Sequence, residues 1–319
     1  MRFSIVITTC NRLPLLQRAV ESALNQSVPC EVAIADDASC DGTEAYVKSL
    51  GNAVVYHRNQ KNLGHSATVN AGVAIARGDW IKLVDDDDYL APDCIERMTA
   101  AIAAFPRTVL CSCQAIQVDA DGRTLSHTQR IGSSDVFHVL QEDIHYGMLM
   151  EKLPFGTPIQ VAFKKEAFLS SRGWNSVFDG NFDDIDSWVR IASYGDAVFI
   201  NHPLAYRTMW SGNGSRQFSL REQLERHISI KQELYDFVHV KYHPHMPQCE
   251  TMCTFLKLYW GLLGMKKGDV GAALQILFPA VFSLPAWMYL LRLLYRRKME
   301  AAFGSTWQIG QPEIQEVRG

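Results

Sequence analysis

Four consecutive carboxylates stand out in the stretch WIKLVDDDDYL at residues 80–90, where an apolar run ends at Asp85, Asp86, Asp87 and Asp88. In an extended segment alternate side chains share a face, so Asp85 and Asp87 are expected to point the same way. Two close carboxylates repel each other unless a cation lies between them, and Mg²⁺ is held by one or two carboxylates together with substrate phosphates. The stretch therefore predicts a metal and phosphate site, with a solvated acidic turn as the alternative.

Alternating strands and helices over the first hundred residues would position this group. Apolar, β-branched runs predict strands at 3–8, 31–35, 53–57 and 80–84, and helical spacing predicts helices after Asn11, after the turn at 38–43 and over 66–76. Such alternation is typical of a parallel sheet covered by helices, in which ligands bind at the carboxyl ends of the strands. Asp36 and Asp37 also follow a strand. Both acidic groups are therefore expected at one edge of the sheet.

Later segments are less regular. Residues 107–118 predict another strand, and the polar stretch 119–160 predicts loops over a site. A second acidic cluster follows at 173–190 (GWNSVFDGNFDDIDSWVR), and residues 218–238 have the apolar spacing of an amphipathic helix.

The segment 270–291 has no charged residue and is followed by a basic cluster of Arg292, Arg296, Arg297 and Lys298. It is long enough to span a bilayer, but Pro279 and Pro285 argue against one straight helix. Trp287 and Tyr289 beside basic residues favour a helix that lies on an anionic membrane surface, with contact through 270–298. A buried pair of helices is the alternative.

Composition limits the classes of function. The chain has 319 residues, 47% of them hydrophobic, and a net charge of −3, which indicates a globular protein with no nucleic-acid partner. The first apolar run is too short for a signal peptide, and the eight cysteines form no CxxC pair. We therefore expect a cytoplasmic protein with reduced thiols, peripheral on the inner face of the cell membrane.

The order of motifs along the chain is specific. It runs through Thr8-Thr9-Cys10-Asn11-Arg12, Gln26, Asp36-Asp37-Ala38-Ser39, Asn62-Leu63-Gly64, Asn70, Arg77-Gly78-Asp79 and the four aspartates. This order resembles the nucleotide-sugar half of the family 2 glycosyltransferases, and residues 173–190 resemble that family's acceptor-side motif. The resemblance covers about 1–210. It implies the α/β GT-A fold, a mostly parallel central sheet flanked by helices, with a nucleotide-sugar half at 1–100 and an acceptor half at 101–215. Beyond it, the apolar spacing predicts a helical C-terminal region at 216–319.

For the donor side, the resemblance implies that Asp87 is the metal ligand and that Asp85, the first residue of the Asp-x-Asp motif, lies near the ribose and the metal. Asp37 would accept a hydrogen bond from a pyrimidine ring. The other residues implied in nucleotide-sugar binding are Thr8, Asp36, Asn70, Asp86 and Arg207. A surface salt bridge is the alternative for Arg207. The cofactor would be Mg²⁺ or Mn²⁺.

For the acceptor side, the resemblance implies that Asp184 is the catalytic base, with Asp183 beside it. The alternative for Asp184 is a carboxylate that stabilises a helix N-terminus. Trp174 would stack on a sugar, or be a core aromatic. The set Asp186, Trp188 and Arg190 is expected to support the helix.

Two departures from the family pattern affect the prediction. Val69 precedes Asn70, where many members have arginine, so Arg12, His65 or Arg77 would have to take part in base recognition. The Gln-x-x-Arg-Trp motif of processive synthases is absent from the sequence, which favours the addition of one sugar per event.

The resemblance implies transfer of one sugar, with inversion, from a nucleotide-sugar to a hydroxyl group. The donor would be a UDP- or dTDP-sugar above all. The acceptor would be a glycan or lipid-linked molecule in surface polysaccharide or glycolipid biosynthesis. A sugar-phosphate nucleotidyltransferase is one alternative, although TTCNRLP after the first strand lacks that class's Gly-rich basic loop. A non-catalytic relative that serves as a scaffold at the membrane is the other.

Overall fold

A computed structural model describes residues 1–131, 134–210, 218–303 and 315–316, and the side chains of these residues except 279, 296–303 and 315–316. The strands are β1 (Phe3–Thr9), β2 (Glu31–Asp36), β3 (Val55–Arg58), β4 (Trp80–Asp85), β5 (Tyr89–Leu90), β6 (Thr108–Val118), β7 (Thr124–His127), β8 (Val136–Val139), β9 (Val161–Lys164), β10 (Asp196–Thr208) and β11 (Gln315–Glu316). The α-helices are α1 (Leu13–Leu24), α2 (Thr43–Ser49), α3 (His65–Ile75), α4 (Cys94–Ala103), α5 (Gln141–Leu149), α6 (Lys165–Ser170), α7 (Asp183–Ile191), α8 (Leu220–Phe237), α9 (Cys249–Lys267), α10 (Val270–Ala280) and α11 (Leu284–Phe303).

The strands form one mixed sheet in the order β11-β8-β10-β6-β9-β4-β1-β2-β3, with β5 paired to β10 and β7 to β6. β1 lies parallel to both β2 and β4, and β2 lies parallel to β3. The parallel arrangement expected for the first hundred residues is therefore confirmed. Antiparallel pairing enters where β9 lies between β4 and β6.

β1, β2 and β4 are buried along almost their whole length, which explains their mostly apolar sequences, whereas β3 at the end of the sheet is only partly buried. Ile5 and Ile7 of β1 are fully buried in a cluster with Leu16 of α1. Val6 points to the other face, where α3 packs so closely that a Cβ on Gly72 would lie 2.5 Å from its Cγ1. Burial on both faces is what a parallel sheet requires.

Residues 119–160 differ from the sequence prediction. The expected loops contain β7, β8 and α5 in the described part of this stretch. The polar residues that suggested loops are partly buried, since Asp143 of α5 is 0% exposed and accepts a hydrogen bond from Tyr242 at 2.7 Å. The other difference is smaller: β3 begins at Val55 rather than at residue 53, because Gly51–Ala53 form a 3₁₀ turn.

The chain divides into two compact units. The first comprises Met1–Gln141, Pro154–Gly214 and the residues of β11, and the second comprises Glu142–Leu153 and Ser215–Pro312, as far as these ranges are described. The predicted boundary at 215/216 lies outside the described residues and stays a prediction, and the inclusion of 142–153 in the second unit was not expected.

In the second unit, α8 confirms the amphipathic helix expected at 218–238, and Ser219 and Glu222 form a capping box at its start. The apolar segment 270–291 is divided between α10 and α11, with a turn at 281–283. No helix in the described parts of the chain has both the length and the apolar character needed to cross a membrane.

Candidate active site

The acidic group forms a turn at the end of β4. β4 ends at Asp85, and the backbone N–H of Asp88 donates to the carbonyl of Asp85 at 3.0 Å. The expectation of an extended segment with alternating side chains was therefore wrong, because the chain reverses as soon as it leaves the sheet. β1 fixes the base of the turn, since Thr8 donates its hydroxyl to Asp85 at 3.0 Å and Thr9 donates to Asp86 at 2.8 Å.

Asp86 and Asp88 hold the turn in place. Asp86 is buried and accepts hydrogen bonds from Thr9, from the backbone N–H of Cys10 at 3.3 Å and from Arg12 at 3.0 Å. Asp88 accepts from the backbone N–H of Thr208 on β10 at 2.8 Å. These contacts use the oxygens of Asp86 within the protein, so its expected role in nucleotide-sugar binding stays a prediction.

Asp85 and Asp87 differ electrostatically. Burial opposes ionisation of Asp85, but the charge and hydrogen bond of His65 outweigh it and lower the pKa. For Asp87, burial and then the charge of Asp85 raise the pKa. Trp210 donates to Asp87 Oδ2 at 3.0 Å, and Arg12 Nη1 lies 3.6 Å from the same oxygen. An ionised Asp85 beside an Asp87 whose ionisation it opposes fits a hard divalent cation, because the charge of the cation would stabilise both anions.

Asp36 and Asp37 organise the neighbouring strand ends. Asp36 is fully buried and accepts from Tyr56 at 2.7 Å and from the backbone N–H of Ser39 at 2.8 Å. Asp37 accepts from Asn59 at 2.8 Å and from two backbone N–H groups, those of Leu63 at 2.8 Å and Gly64 at 2.9 Å. A carboxylate has about four acceptor positions. Asp37 therefore keeps capacity for one further donor, and its contact with a pyrimidine stays a prediction.

The second acidic cluster begins α7. Asp183 and Asp184 lie in the first turn of this helix, and Asp184 accepts the backbone N–H of Ile185 at 2.8 Å. Burial, followed by the charges of Asp183 and Asp85, raises the pKa of Asp184 to about 7. A carboxylate with a pKa near neutrality is suited to remove a proton from a hydroxyl group. Its position also matches the helix N-terminal alternative, and the two roles are compatible.

His65 joins the two acidic clusters, whereas the sequence predicts for it only a part in base recognition. Its Nε2 lies 2.9 Å from Asp85 Oδ1 and its Nδ1 lies 3.2 Å from Asp183 Oδ2. Burial disfavours charge on the ring, but the two carboxylates outweigh it and raise the pKa of His65 well above its ordinary value. Its position at the start of α3, directly after Gly64, was the available sequence signal.

The loop before α7 is fixed to α3. Asp179 accepts from the backbone N–H and hydroxyl of Ser66 at 2.9 and 3.0 Å. In the described part of the chain, potential ligand atoms of His65, Asp179 and Asp183 lie within 4.8 Å of one another. Because these side chains already bond within the protein, we assign them to positioning rather than to a second ion.

Trp174 and Asn70 form a structural pair. Asn70 accepts from the backbone N–H of Trp174 at 2.9 Å and donates to its carbonyl at 3.0 Å. Trp174 is 3% exposed, and its ring meets His65 and Trp188 edge-on. This burial favours the alternative of a core aromatic, and sugar stacking by Trp174 stays a prediction. Both polar groups of Asn70 serve the backbone, and its nucleotide contact stays a prediction.

The support expected within α7 is present. Asp186 and Arg190 form an ion pair one turn apart, and Arg190 also donates to the carbonyl of Ser171. Trp188 donates to the carbonyl of Gly156 at 3.1 Å. These contacts hold the helix that carries Asp183 and Asp184.

The candidate arginines lie in different places. Arg207 is half-buried on β10, and its positive charge acts to lower the pKa of Asp88, although burial keeps that pKa well above its ordinary value. Arg77 is exposed, and its backbone N–H bonds Glu31 at the first residue of β2. Because β2 begins at the opposite edge of the sheet from Asp85, Arg77 is wrongly placed for the base recognition suggested for it.

A comparison of the sequence with known families matches the description Glycosyl transferase family 2 over residues 4–170, just over half of the chain. The chain belongs to this family. The uncharacterized glycosyltransferase YwdF of Bacillus subtilis is 44% identical over 105 residues, 32% of this chain and 38% of that protein. Chondroitin synthase of Escherichia coli is 25% identical over 258 residues, 76% of this chain and 34% of that protein. The chain thus spans between a third and two fifths of the length of these two relatives.

A third relative, the abequosyltransferase RfbV of Salmonella typhimurium, is 28% identical over 151 residues, 45% of each chain. Among solved structures, S. aureus TarS 1–349 with UDP-GlcNAc has a TM-score of 0.59 at 15% identity and covers 82% of this chain and 81% of its own. The mannosyltransferase PcManGT from Pyrobaculum calidifontis, with GDP-Man and Mn²⁺, has a TM-score of 0.55 at 19% identity and covers 92% and 79%. The GT-A fold implied by the resemblance is confirmed.

Proposed function

We propose that this glycosyltransferase moves one sugar, with inversion, from a nucleotide-sugar to a hydroxyl group of its acceptor. The observation that supports this most directly is the pair of His65 hydrogen bonds to Asp85 and Asp183. They bring the end of β4, expected to bind the donor, and the start of α7, expected to bind the acceptor, to one place. A donor diphosphate and an acceptor hydroxyl held there would be neighbours, which is the main requirement for group transfer.

The donor side would use a divalent cation, Mg²⁺ or Mn²⁺, with Asp87 and Asp85 as its protein ligands. When bound, such an ion supplies Lewis-acid stabilisation of the negative charge on the leaving diphosphate. The raised pKa of Asp87, which burial and the charge of Asp85 cause, supports this assignment, because a bound cation would stabilise both carboxylates. The fold neighbours contain UDP-GlcNAc in one case and GDP-Man with Mn²⁺ in another. We propose a UDP- or dTDP-sugar as the donor.

On the acceptor side, Asp184 would take the proton of the acceptor hydroxyl. The oxygen then forms a bond to the anomeric carbon on the face opposite the diphosphate, whose bond to that carbon breaks, and the configuration inverts. Burial supports this role, because it keeps the basicity of Asp184 close to that needed at neutral pH. Asp183 would be held in position by His65 beside the acceptor.

The acceptor is proposed to be a glycan or a lipid-linked intermediate of surface polysaccharide or glycolipid biosynthesis. The name of the related abequosyltransferase and that of chondroitin synthase support a glycan product. We place the protein in the cytoplasm, peripheral on the inner face of the cell membrane, with contact through 270–298. The basic side chains at 296–298 lie outside the described side chains.

Product stereochemistry tests the proposal. The protein should be incubated with Mn²⁺, a panel of glycan acceptors and nucleotide-sugars in which the sugar is α-linked to the diphosphate. NMR of the anomeric proton then gives the configuration of the product. A β-linked product that Asp184→Asn fails to form is expected. An α-linked product, or full activity of Asp184→Asn, would contradict the mechanism.

A further inference from the structure

α10 and α11 each expose a row of apolar side chains that the transfer reaction does not explain. On α10 and its turn the exposed side chains are Val270, Leu274, Phe278 and Phe282, and on α11 they are Leu284, Met288, Leu291 and Tyr295. The spacing of three or four residues places each set along one side of its helix. We call these eight residues the outer apolar face.

The opposite sides of the same helices account for the packing of the unit. Ala273, Ile276 and Ala280 of α10 are buried, as are Ala286, Leu290 and Leu293 of α11. α9 meets α10 closely, since a Cβ on Gly261 would lie 2.4 Å from Leu277. A helix on the surface of a soluble protein is normally polar on its outer side. Both sides of these helices are apolar, so the outer one requires a further partner.

The turn between the helices is built to present its aromatic residues. Trp287 donates its indole N–H to the carbonyl of Val281 at 2.9 Å, and the backbone N–H of Ser283 donates to Ala280 at 3.1 Å. Phe278 and Phe282 meet edge-on with centroids 5.8 Å apart, and they are 71% and 78% exposed. A closed turn that keeps two phenylalanines in water is costly unless they leave water on binding.

The charge around this surface indicates the kind of partner. Six basic residues and one acidic residue lie between 266 and 298, in a chain whose net charge is −3. Lys266 and Lys267 at the end of α9 and Arg292 on α11 are exposed. A surface rich in aliphatic and phenylalanine side chains, flanked by basic residues, matches the interface of an anionic bilayer.

We propose that the outer apolar face lies in the headgroup region of an anionic lipid bilayer, with Phe278 and Phe282 at the turn inserted most deeply. α10 has 11 residues and so is about 16 Å long, which suits a helix lying along the surface. Lys266, Lys267 and Arg292 would contact the lipid headgroups. This inference extends the proposed membrane location to named residues, and its test does not depend on the transfer reaction.

The test is sedimentation of the full chain with vesicles of phosphatidylcholine alone or of phosphatidylcholine with phosphatidylglycerol. The variants are Phe278→Ser with Phe282→Ser, and Lys266→Gln with Lys267→Gln. The matched control is Leu125→Ser with Val177→Ser, two side chains that are 57% and 71% exposed in the first unit. Circular dichroism would verify the fold, and light scattering would give the mass without lipid.

We expect binding to the anionic vesicles that the phenylalanine double variant reduces at least about 10-fold, with Phe→Leu at both positions restoring most of it. The lysine double variant should weaken binding mainly at low salt, because screening removes its contribution at high salt. The control should bind as the native chain. Binding that is unchanged in the phenylalanine variant would overturn the proposal. So would a lipid-independent dimer that this variant dissociates, because the face would then join two copies of the chain.

Discussion

At the level of single residues, the proposed reaction depends most on the carboxyl group of Asp184. As a base it works only when ionised, and its pKa is raised to about 7, by burial first and then by Asp183 and Asp85. We predict that kcat/KM falls as the pH drops below about 7 and is level above it. Asp184→Asn should lower turnover about 10²- to 10⁴-fold, whereas the exposed control Asp121→Asn should not. A native pH profile that stays level down to pH 5 would exclude Asp184 as the base.

The same shift predicts a cost in stability. The pKa of Asp184 rises from about 3.9 in the unfolded chain to about 7 in the folded one, so its contribution to stability falls as the pH rises between these values. Asp184→Asn should therefore stabilise the protein by about 1–3 kcal/mol at pH 8 and by little at pH 4. Urea unfolding at both pH values measures this. An equal effect at both would show that Asp184 is not strained by burial.

His65 is predicted to act by position. His65→Phe keeps a ring beside Trp174 but loses the hydrogen bonds to Asp85 and Asp183. We expect kcat to fall about 10- to 100-fold with a smaller change in donor KM, because the two sides of the site lose their alignment. If His65 acts through Asp183, the losses from His65→Phe and Asp183→Asn should be less than additive. Additive losses would mean that the two residues act separately.

At the level of elements, the sequence predicted a helix or strand correctly where the local pattern of apolar residues determines it. The strands of the first hundred residues and α8 followed from apolar periodicity, because their burial is repeated along each element. The turn at Asp85 did not follow from this pattern, because alternation of side chains between the two faces of a strand assumes that the strand continues. The sequence did not predict the helix α5, because its residue Asp143 is polar but buried. Its hydrogen bond with Tyr242 joins positions 99 apart, and no local pattern reveals such a contact.

The junction between α3 and the loop before α7 gives a prediction at this scale. Gly64 has φ +90° and a Cβ there would lie 2.3 Å from Asp179 Oδ2, so Gly64→Ala should displace the carboxylate that bonds Ser66. We expect a loss of about 1–3 kcal/mol in the free energy of unfolding, from strain and a lost cap.

The matched control for that loss is Gly271→Ala in α10, where a Cβ has nothing within 4 Å. This substitution should be neutral or slightly stabilising, because alanine favours a helix over glycine. Denaturant unfolding of both variants measures the difference. An equal change in the free energy of unfolding for the two variants would contradict the close contact between Gly64 and Asp179.

At the level of the whole molecule, family membership could be predicted and specificity could not. The order of short motifs spread over 1–210 identified the family, since the sheet brings the ends of separate strands to one edge. The roles of single residues could be predicted less well from the sequence. Trp174 and Asn70 have the residue types of a binding site, yet they contact each other, and His65 has its role only through partners 20 and 118 positions away.

The most direct test of the account is thermal-shift binding of UDP, GDP, dTDP and CDP, each with and without Mn²⁺. A ligand that binds only the folded chain raises the Tm by mass action. We predict a shift with UDP or dTDP that requires Mn²⁺, that Asp87→Asn abolishes, and that Asp184→Asn retains. No shift with any nucleotide in a well-folded sample, or a shift that neither Mn²⁺ nor Asp87→Asn affects, would contradict a metal-dependent donor site at the end of β4.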